Sequence, residues 1–425
     1  MADDTKKAPY TNGVSTEGVE KNDYGCYENS SHKDTKCRSK SQVPTDNIER
    51  ISDVYYQVVT DPQGNEQFMN RKREELKQDN VNLREVPKFT GFTVEHARYN
   101  IDGSVEYRRD VDGWRNMAQI LPHEPIEGDF KTIAKLIKHI GGDKEELLLD
   151  YITILLTNPT QLLPIIVVVS KAQATGKSTF LRFIKALLLG NAVILNVSQY
   201  TQQFNGLYAS KLAIMIDEAA ISEEFIKERL KNDSTQLIIY LRKMMREHTP
   251  IPFYGKFLMA TNKETDFVKL EEEDVRFLVL KVETFEEFDP EFEYKLVDEI
   301  PQFIYYLLHR PLETPTARHR MWFAPEQLRT DALAKVMMNS RSECAKDIEI
   351  WAEDLLNEKI GFGATRNEIW EALGRRYSRN EISNALKKEL RLDNDSKRYV
   401  DMYGFNQIGR AFIFGDRVEG MDSPI

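Results

Sequence analysis

The stretch from Ile165 to Leu188, IIVVVSKAQATGKSTFLRFIKALL, restricts what this chain can fold into more than any other. Ile165 to Val169 are consecutive apolar, mostly β-branched residues, the pattern of a strand buried on both faces of a parallel sheet. A short polar loop follows and ends in Gly176-Lys177-Ser178-Thr179. Phe180, Leu181, Phe183, Ile184, Leu187 and Leu188 then recur at helical spacing, with Gly190 as a stop. A bare Gly-Lys-Ser is a weak signal; strand, loop and helix in this order make it a Walker A loop in an α/β core. Backbone N–H groups at such a helix N-terminus face phosphate oxygens, and the helix dipole favours negative charge there. The expected nucleotide contacts are Ala174, Thr175, Gly176, Lys177, Ser178 and Thr179. Lys177 would face the β- and γ-phosphates of ATP, and the Ser178 hydroxyl would meet Mg2+. Two positions depart from the usual pattern: Lys171 replaces the first glycine, and Ala174 stands where many related loops carry one.

The next landmarks follow in the same register. Val193 to Val197 reads as a second strand, and Lys211 to Ile216 as a third that ends in Asp217-Glu218. An apolar strand closing in Asp-Glu is the Walker B pattern. Asp217 would join Ser178 at the metal, and Glu218 would orient and polarise the attacking water. Asp-Glu at a strand end is common by itself, and its distance of 40 residues from Lys177 gives it weight. Lys256 to Thr261 is a further strand, leading to Asn262. That asparagine is either a turn residue beside Lys263 or a ligand of the γ-phosphate or lytic water, at the sheet edge where ligands bind. Arg276 opens a fifth strand after an acidic run, Glu271 to Asp274, and its guanidinium suits charge on a transferring phosphoryl group.

Composition narrows the remainder. The chain has 425 residues, 41% hydrophobic and 30% charged, enough for two or three soluble domains. A net charge of -10 argues against a wholly basic nucleic-acid coat. No apolar run is long enough to span a bilayer, and the N-terminus lacks a signal-like segment, so no membrane partner and a cytoplasmic location are expected, in a bacterium or a virus-infected host cell. Residues 1–45 read as a disordered polar tail. Its Cys26, His32 and Cys37 offer only three ligands at unfamiliar spacing and are not read as a zinc site. Residues 46–128 form a mixed α+β region. There Asp110-x-Asp112 before Gly113 is read as a turn in preference to a metal pair, and Arg108, Arg109 and Arg115 are as compatible with a solvated face as with a nucleic-acid backbone.

GKST, IMIDEA, FLMATN and EDVRF, in that order and spacing, resemble superfamily 3 helicases, the hexameric AAA+-type DNA helicases of viruses, phages and plasmids. LPIIVVVSKAQATGKSTFLRFIK and GKFLMATNKETDFVKLEEEDVRFLVLKV resemble the helicase half of phage and mobile-element primase-helicases in particular. The likeness covers about Asp129 to Val282 and weakens on either side. It implies an AAA+-like P-loop core over residues 129–315, a DNA-stimulated ATPase, and self-association into a ring, taken as a hexamer. In that scheme Asn262 is sensor 1 and Arg276 the arginine finger, with Val275 where many members carry a second arginine. A channel hairpin of the family would place Lys243, Arg246, His248 and Lys256 against single-stranded DNA.

Residues 316–425 carry two capping boxes, Thr365-x-x-Glu368 and Ser378-x-x-Glu381. Two alternating runs follow, Tyr399 to Gly404 and Arg410 to Gly415, and read as a hairpin. Helices plus hairpin suggest a winged-helix-like domain, with Arg379 and Lys387 directed at DNA or, alternatively, a module that only packs. The function expected is an ATP-dependent helicase replicating a phage, plasmid or integrative element on single-stranded or forked DNA. With no primase site legible, a separate primase is a candidate partner. The alternative is an ATP-switched replication initiator or regulator that does not unwind; a small-molecule kinase is disfavoured by the sensor and finger motifs.

Overall fold

The computed structural model describes residues 47–61, 65–217, 224–242, 248–265, 267–270, 274, 276–285, 289–314, 320–394 and 396–415. Cys26, His32, Cys37, Glu218, Lys243, Arg246, Glu271 to Glu273 and Val275 lie outside them. The chain is a mixed α/β protein built on a five-stranded, all-parallel sheet. Its strands are β1 (Ile165–Val169), β2 (Ala192–Leu195), β3 (Ala213–Ile216), β6 (Lys256–Thr261) and β7 (Phe277–Lys281). Between β3 and β6 the hairpin β4 (Ile238–Leu241) and β5 (Thr249–Pro252) pairs only with itself, while Ile239, Leu241 and Ile251 pack into the core on one face of the sheet. The sheet order is β2-β3-β6-β1-β7. β6 is therefore inserted between β1 and β3, which brings three loops side by side at the C-terminal edge.

Continuous apolar runs form these strands because both faces are covered. Ile166 and Val168 point into one core, with α1 (Lys131–Gly141), α2 (Glu145–Thr157), α3 (Lys177–Leu188) and, after α4 (Glu224–Asp233) and α5 (Phe292–Asp298), α6 (Ile300–His309). Ile165, Val167 and Val169 point into the other, with Tyr200, Tyr208, Leu230 of α4 and the helix α7 (Asp331–Ser340). Sequence grouping placed α7 with the C-terminal part; its buried Ala332, Leu333 and Val336 join the sheet instead. Both ends of α7 are stapled near β7. The Thr330 hydroxyl donates to the Val279 carbonyl (2.6 Å), and the Ser340 hydroxyl accepts from the Leu270 amide (2.9 Å). α2 is clamped to the segment after α6 by Asp150, fully buried, which accepts from Arg310 at 2.5 Å and from the Thr314 amide at 2.7 Å.

Before α1, strands Glu66–Arg71, Val54–Thr60, Ile48–Ile51 and Lys88–Phe89 form a separate small sheet. The fully buried Arg115 guanidinium holds it by ion pairs with Glu49 and Glu66, each at 2.7 Å. Arg109 pairs with Glu49 and Arg108 with Glu95. These guanidinium groups are thus engaged inside the region. Asp110 accepts from the Gly113 amide at 2.7 Å and Asp112 has φ 53°, the turn that the Asp and Gly residues lead one to expect.

After α7 a second core gathers α8 (Glu343–Leu356), β8 (Gly361–Ala364), α9 (Arg366–Ala372), α10 (Arg379–Asn384) and the last of three strands. Those strands are β9 (Ser396–Val400), β10 (Asn406–Arg410) and β11 (Phe412–Gly415). Both capping boxes form, at Thr365 and at Ser378. The expected hairpin is re-paired: β9 pairs with β10, and β11 pairs with β8. No helix among the described residues is long and apolar enough to cross a membrane.

Candidate nucleotide site

The loop between β1 and α3 turns in two left-handed steps, Ala174 at φ 55° and Gly176 at φ 78°. Glycine takes such a φ freely, whereas alanine is strained there by about 1 kcal/mol or more. Ala174 therefore holds the geometry that glycine supplies in related loops. The loop's carbonyls are occupied from outside it. Ala174 accepts from the Phe285 amide (3.2 Å), and the Thr175 carbonyl meets the His139 Nε2 (3.1 Å). Ala172 and Ser170 accept from Lys177 Nζ at 3.2 and 3.4 Å. The amides of Gln173, Ala174, Thr175 and Gly176, by contrast, take no acceptor among the described residues. Carbonyls turned away and consecutive amides left over make a concave cluster of donors suited to an anion.

Lys177 is buried, and its ammonium also donates to Thr175 Oγ1 at 2.8 Å. Burial pushes its pKa below the ordinary lysine value, and the nearby Asp217 charge opposes that shift. Ser178 Oγ donates to Asp217 Oδ1 at 3.2 Å, bridging the start of α3 and the end of β3. This pair of hard oxygens fits a Mg2+ ion that completes its shell with water and phosphate. Thr179 Oγ1 contacts Glu293 of α5 at 3.4 Å. Asn262 is exposed at the exit of β6, between the β1 loop and Asp217. Glu264, which sequence reasoning missed, reaches back to the Lys171 amide at 3.4 Å and to Lys281 at 3.7 Å. Nothing in its local sequence marks it, because the contact spans three strands.

Arg276 lies elsewhere. Its carbonyl accepts from the Ile165 amide at 2.7 Å, so it sits beside the start of β1, whereas the Ala174–Gly176 loop follows the end of β1. Five residues of strand at about 3.3 Å each separate the two, roughly 16 Å. Its guanidinium donates to the Lys231 carbonyl at 3.4 Å, and Asp274 pairs with Lys231 at 2.8 Å. His248 is exposed beside β5, at the end of the β4–β5 hairpin. Arg379 and Lys387 are exposed, with the Arg379 guanidinium 4.6 Å from the Trp370 ring.

Lys256 departs from expectation. It is 3% exposed, and Nζ donates to the carbonyls of Pro159 and Tyr254. Burial pushes its pKa down to about 7. It is a core cation at the base of the sheet, with no surface for a phosphate. Next to it His96 is also buried, with neither ring nitrogen hydrogen-bonded among the described residues, and burial followed by the Lys256 and Lys211 charges lowers its pKa to about 3.

A protein-family model described as a family of unknown function (DUF5906) matches residues 168–276, from β1 to the start of β7. No curated protein matches the chain. Among solved structures, the apo structure of the NrS-1 C terminal region (305-718) is similar over 87% of this chain and 97% of that chain, with a TM-score of 0.59 and 14% identity. An A form apo structure of the same region matches 87% of this chain and 96% of that chain, with a TM-score of 0.55 and 12% identity. The likeness is one of fold across nearly the whole of both chains.

Proposed function

We propose that this chain is an ATP-hydrolysing DNA helicase of the superfamily 3 type, acting in replication of a phage, plasmid or integrative element. The observation that carries the proposal is the site at the C-terminal sheet edge. Unengaged amides and Lys177 converge there on one side, with Ser178 and Asp217 3.2 Å apart on the other. An anion and a divalent cation held side by side are what a nucleoside triphosphate with Mg2+ presents. When bound, the cation would neutralise charge on the β- and γ-oxygens. Lys177 would leave Thr175 for the phosphates, Asn262 would hold the lytic water, and Glu218, by sequence, would accept its proton.

The position of Arg276 supports a ring. A residue about 16 Å of strand away from its own phosphate loop cannot serve that loop. It can serve a neighbour's, and ATP would then lie between subunits. The β4–β5 hairpin, with the exposed His248 at its end and Lys243 and Arg246 in its turn by sequence, is the candidate channel contact. Fold likeness to the NrS-1 C terminal region supports a shared architecture, and the helices and hairpin after α7 support a winged-helix module bearing Arg379 and Lys387. The test is ATP turnover with and without single-stranded DNA, beside strand displacement on forked DNA. Stimulated turnover with displacement is expected. Turnover without displacement would favour the ATP-switched initiator, and no turnover would overturn the site.

A further inference from the structure

The β9–β10 hairpin ends in a turn, Asp401 to Phe405, that is held from within. Asp401 is 4% exposed, and its Oδ1 accepts from the amides of Tyr403 and Phe405, both at 2.9 Å. Its Oδ2 accepts from the Gln407 side chain at 3.0 Å. The Asp401 amide donates to the Phe405 carbonyl (2.9 Å), and Gly404, at φ 90°, donates back to the Asp401 carbonyl (3.0 Å). Lys359, in the loop between α8 and β8, donates to the Met402 carbonyl. This fixed turn presents Tyr403 at 71% exposure, Phe405 at 66% and, on the adjoining strand, Ile408 at 65%. Scattered exposed apolar residues are ordinary; three within six positions on a locked turn mark a contact surface.

The flanks say what kind of contact. Arg398 lies opposite Ile408 in the register and so shares its face of the hairpin, and Arg410 lies opposite Ser396. Both arginines are exposed, and neither is in an ion pair among the described residues. Rigid exposed rings beside unengaged guanidinium groups suit a single strand of nucleic acid, whose bases stack and whose phosphates need cations. We propose that the Tyr403–Phe405 tip, with Arg398 and Arg410 behind it, is a second nucleic-acid site that stacks on unpaired bases where a duplex opens. Its placement at the duplex junction rests on the helicase reading; its affinity for a single strand does not.

The test uses the full chain and a short oligothymidine, with 2-aminopurine at one position, in the absence of ATP. Tyr403→Ala/Phe405→Ala should weaken binding about tenfold or more, since the bases lose both stacking rings. Stacking quench of the 2-aminopurine should vanish with it. Tyr403→Phe/Phe405→Tyr, which keeps both rings, should retain affinity and quench, and the thermal unfolding of both variants should match the parent. Undiminished binding or quench in the alanine pair would overturn the proposal, as would an effect confined to self-association. A parent that binds the strand through the tip yet shows no ATP turnover would sink the helicase reading alone. A parent that unwinds forks with the tip irrelevant to strand binding would sink this proposal alone.

Discussion

Lys177 is held by three acceptors of the preceding loop, Thr175, Ala172 and Ser170, so its side chain shapes the loop in addition to the phosphate contact proposed for it. Lys177→Ala is expected to abolish ATP turnover, measured as phosphate release; retained hydrolysis would show that another cation serves the phosphates. His96 gives a prediction in pH. Its folded-state pKa of about 3 lies below the ordinary 6.5. Between those values the unfolded chain takes up a proton that the folded chain refuses, so stability falls as pH falls. His96→Leu should remove that slope, up to about 1.4 kcal/mol per pH unit, and leave stability at pH 7 little changed or improved. Urea unfolding at several pH values between about 6.5 and 4 checks it; parallel slopes would mean that His96 gains its proton in the fold. The places of Lys177 and Ser178 at the start of α3, and of Asp217 just after β3, were legible because short motifs adjoin elements that their own apolar residues define. Lys256 was not: a lysine leading an apolar strand reads as a surface charge until the Pro159 carbonyl, 97 residues away, is seen to accept from it.

At the level of elements, α2 and the chain after α6 meet through a buried charge. Asp150 has no exposed side-chain surface, and Arg310 only 6%. Removing one partner of a buried pair typically costs about 3–5 kcal/mol, and because Arg310 keeps Glu146 at 2.7 Å the loss of Asp150 belongs at the lower end of that range. Asp150→Ala should therefore lower unfolding stability by that order, read from a denaturant midpoint, while Asp150→Asn, which still accepts from Thr314, should lose less. Equal losses would mean that charge contributes nothing there. The elements themselves were largely readable, the five strands from their apolar runs and α9 and α10 from their capping boxes. Partnership was not. Alternation in Arg410 to Gly415 reveals a face but no neighbour, and Gly361 to Ala364, too glycine-rich to read as a strand, took that place beside it.

For the whole molecule, the expectation is an enzyme whose sites close only between copies. Arg276→Ala and Lys177→Ala, each inactive alone, should regain partial ATP turnover when mixed, since some interfaces then pair an intact Arg276 with an intact Lys177. No rescue, with co-assembly shown by sedimentation, would count against action in trans. Size and composition indicated several domains, but the sequence held no sign that α7 belongs to the sheet, because an amphipathic helix does not say which surface will cover it. That helix has a mechanical meaning. Thr330 grips β7 itself, Ser340 grips Leu270 ahead of it, and only Arg341 and Ser342 stand between α7 and α8. The C-terminal module thus hangs on a stiff arm and not a leash, and the arm is bolted to the strand that begins beside Arg276. In the proposed ring, any tilt of that strand against a neighbouring subunit would reach the module as displacement, with almost no slack in which to lose it.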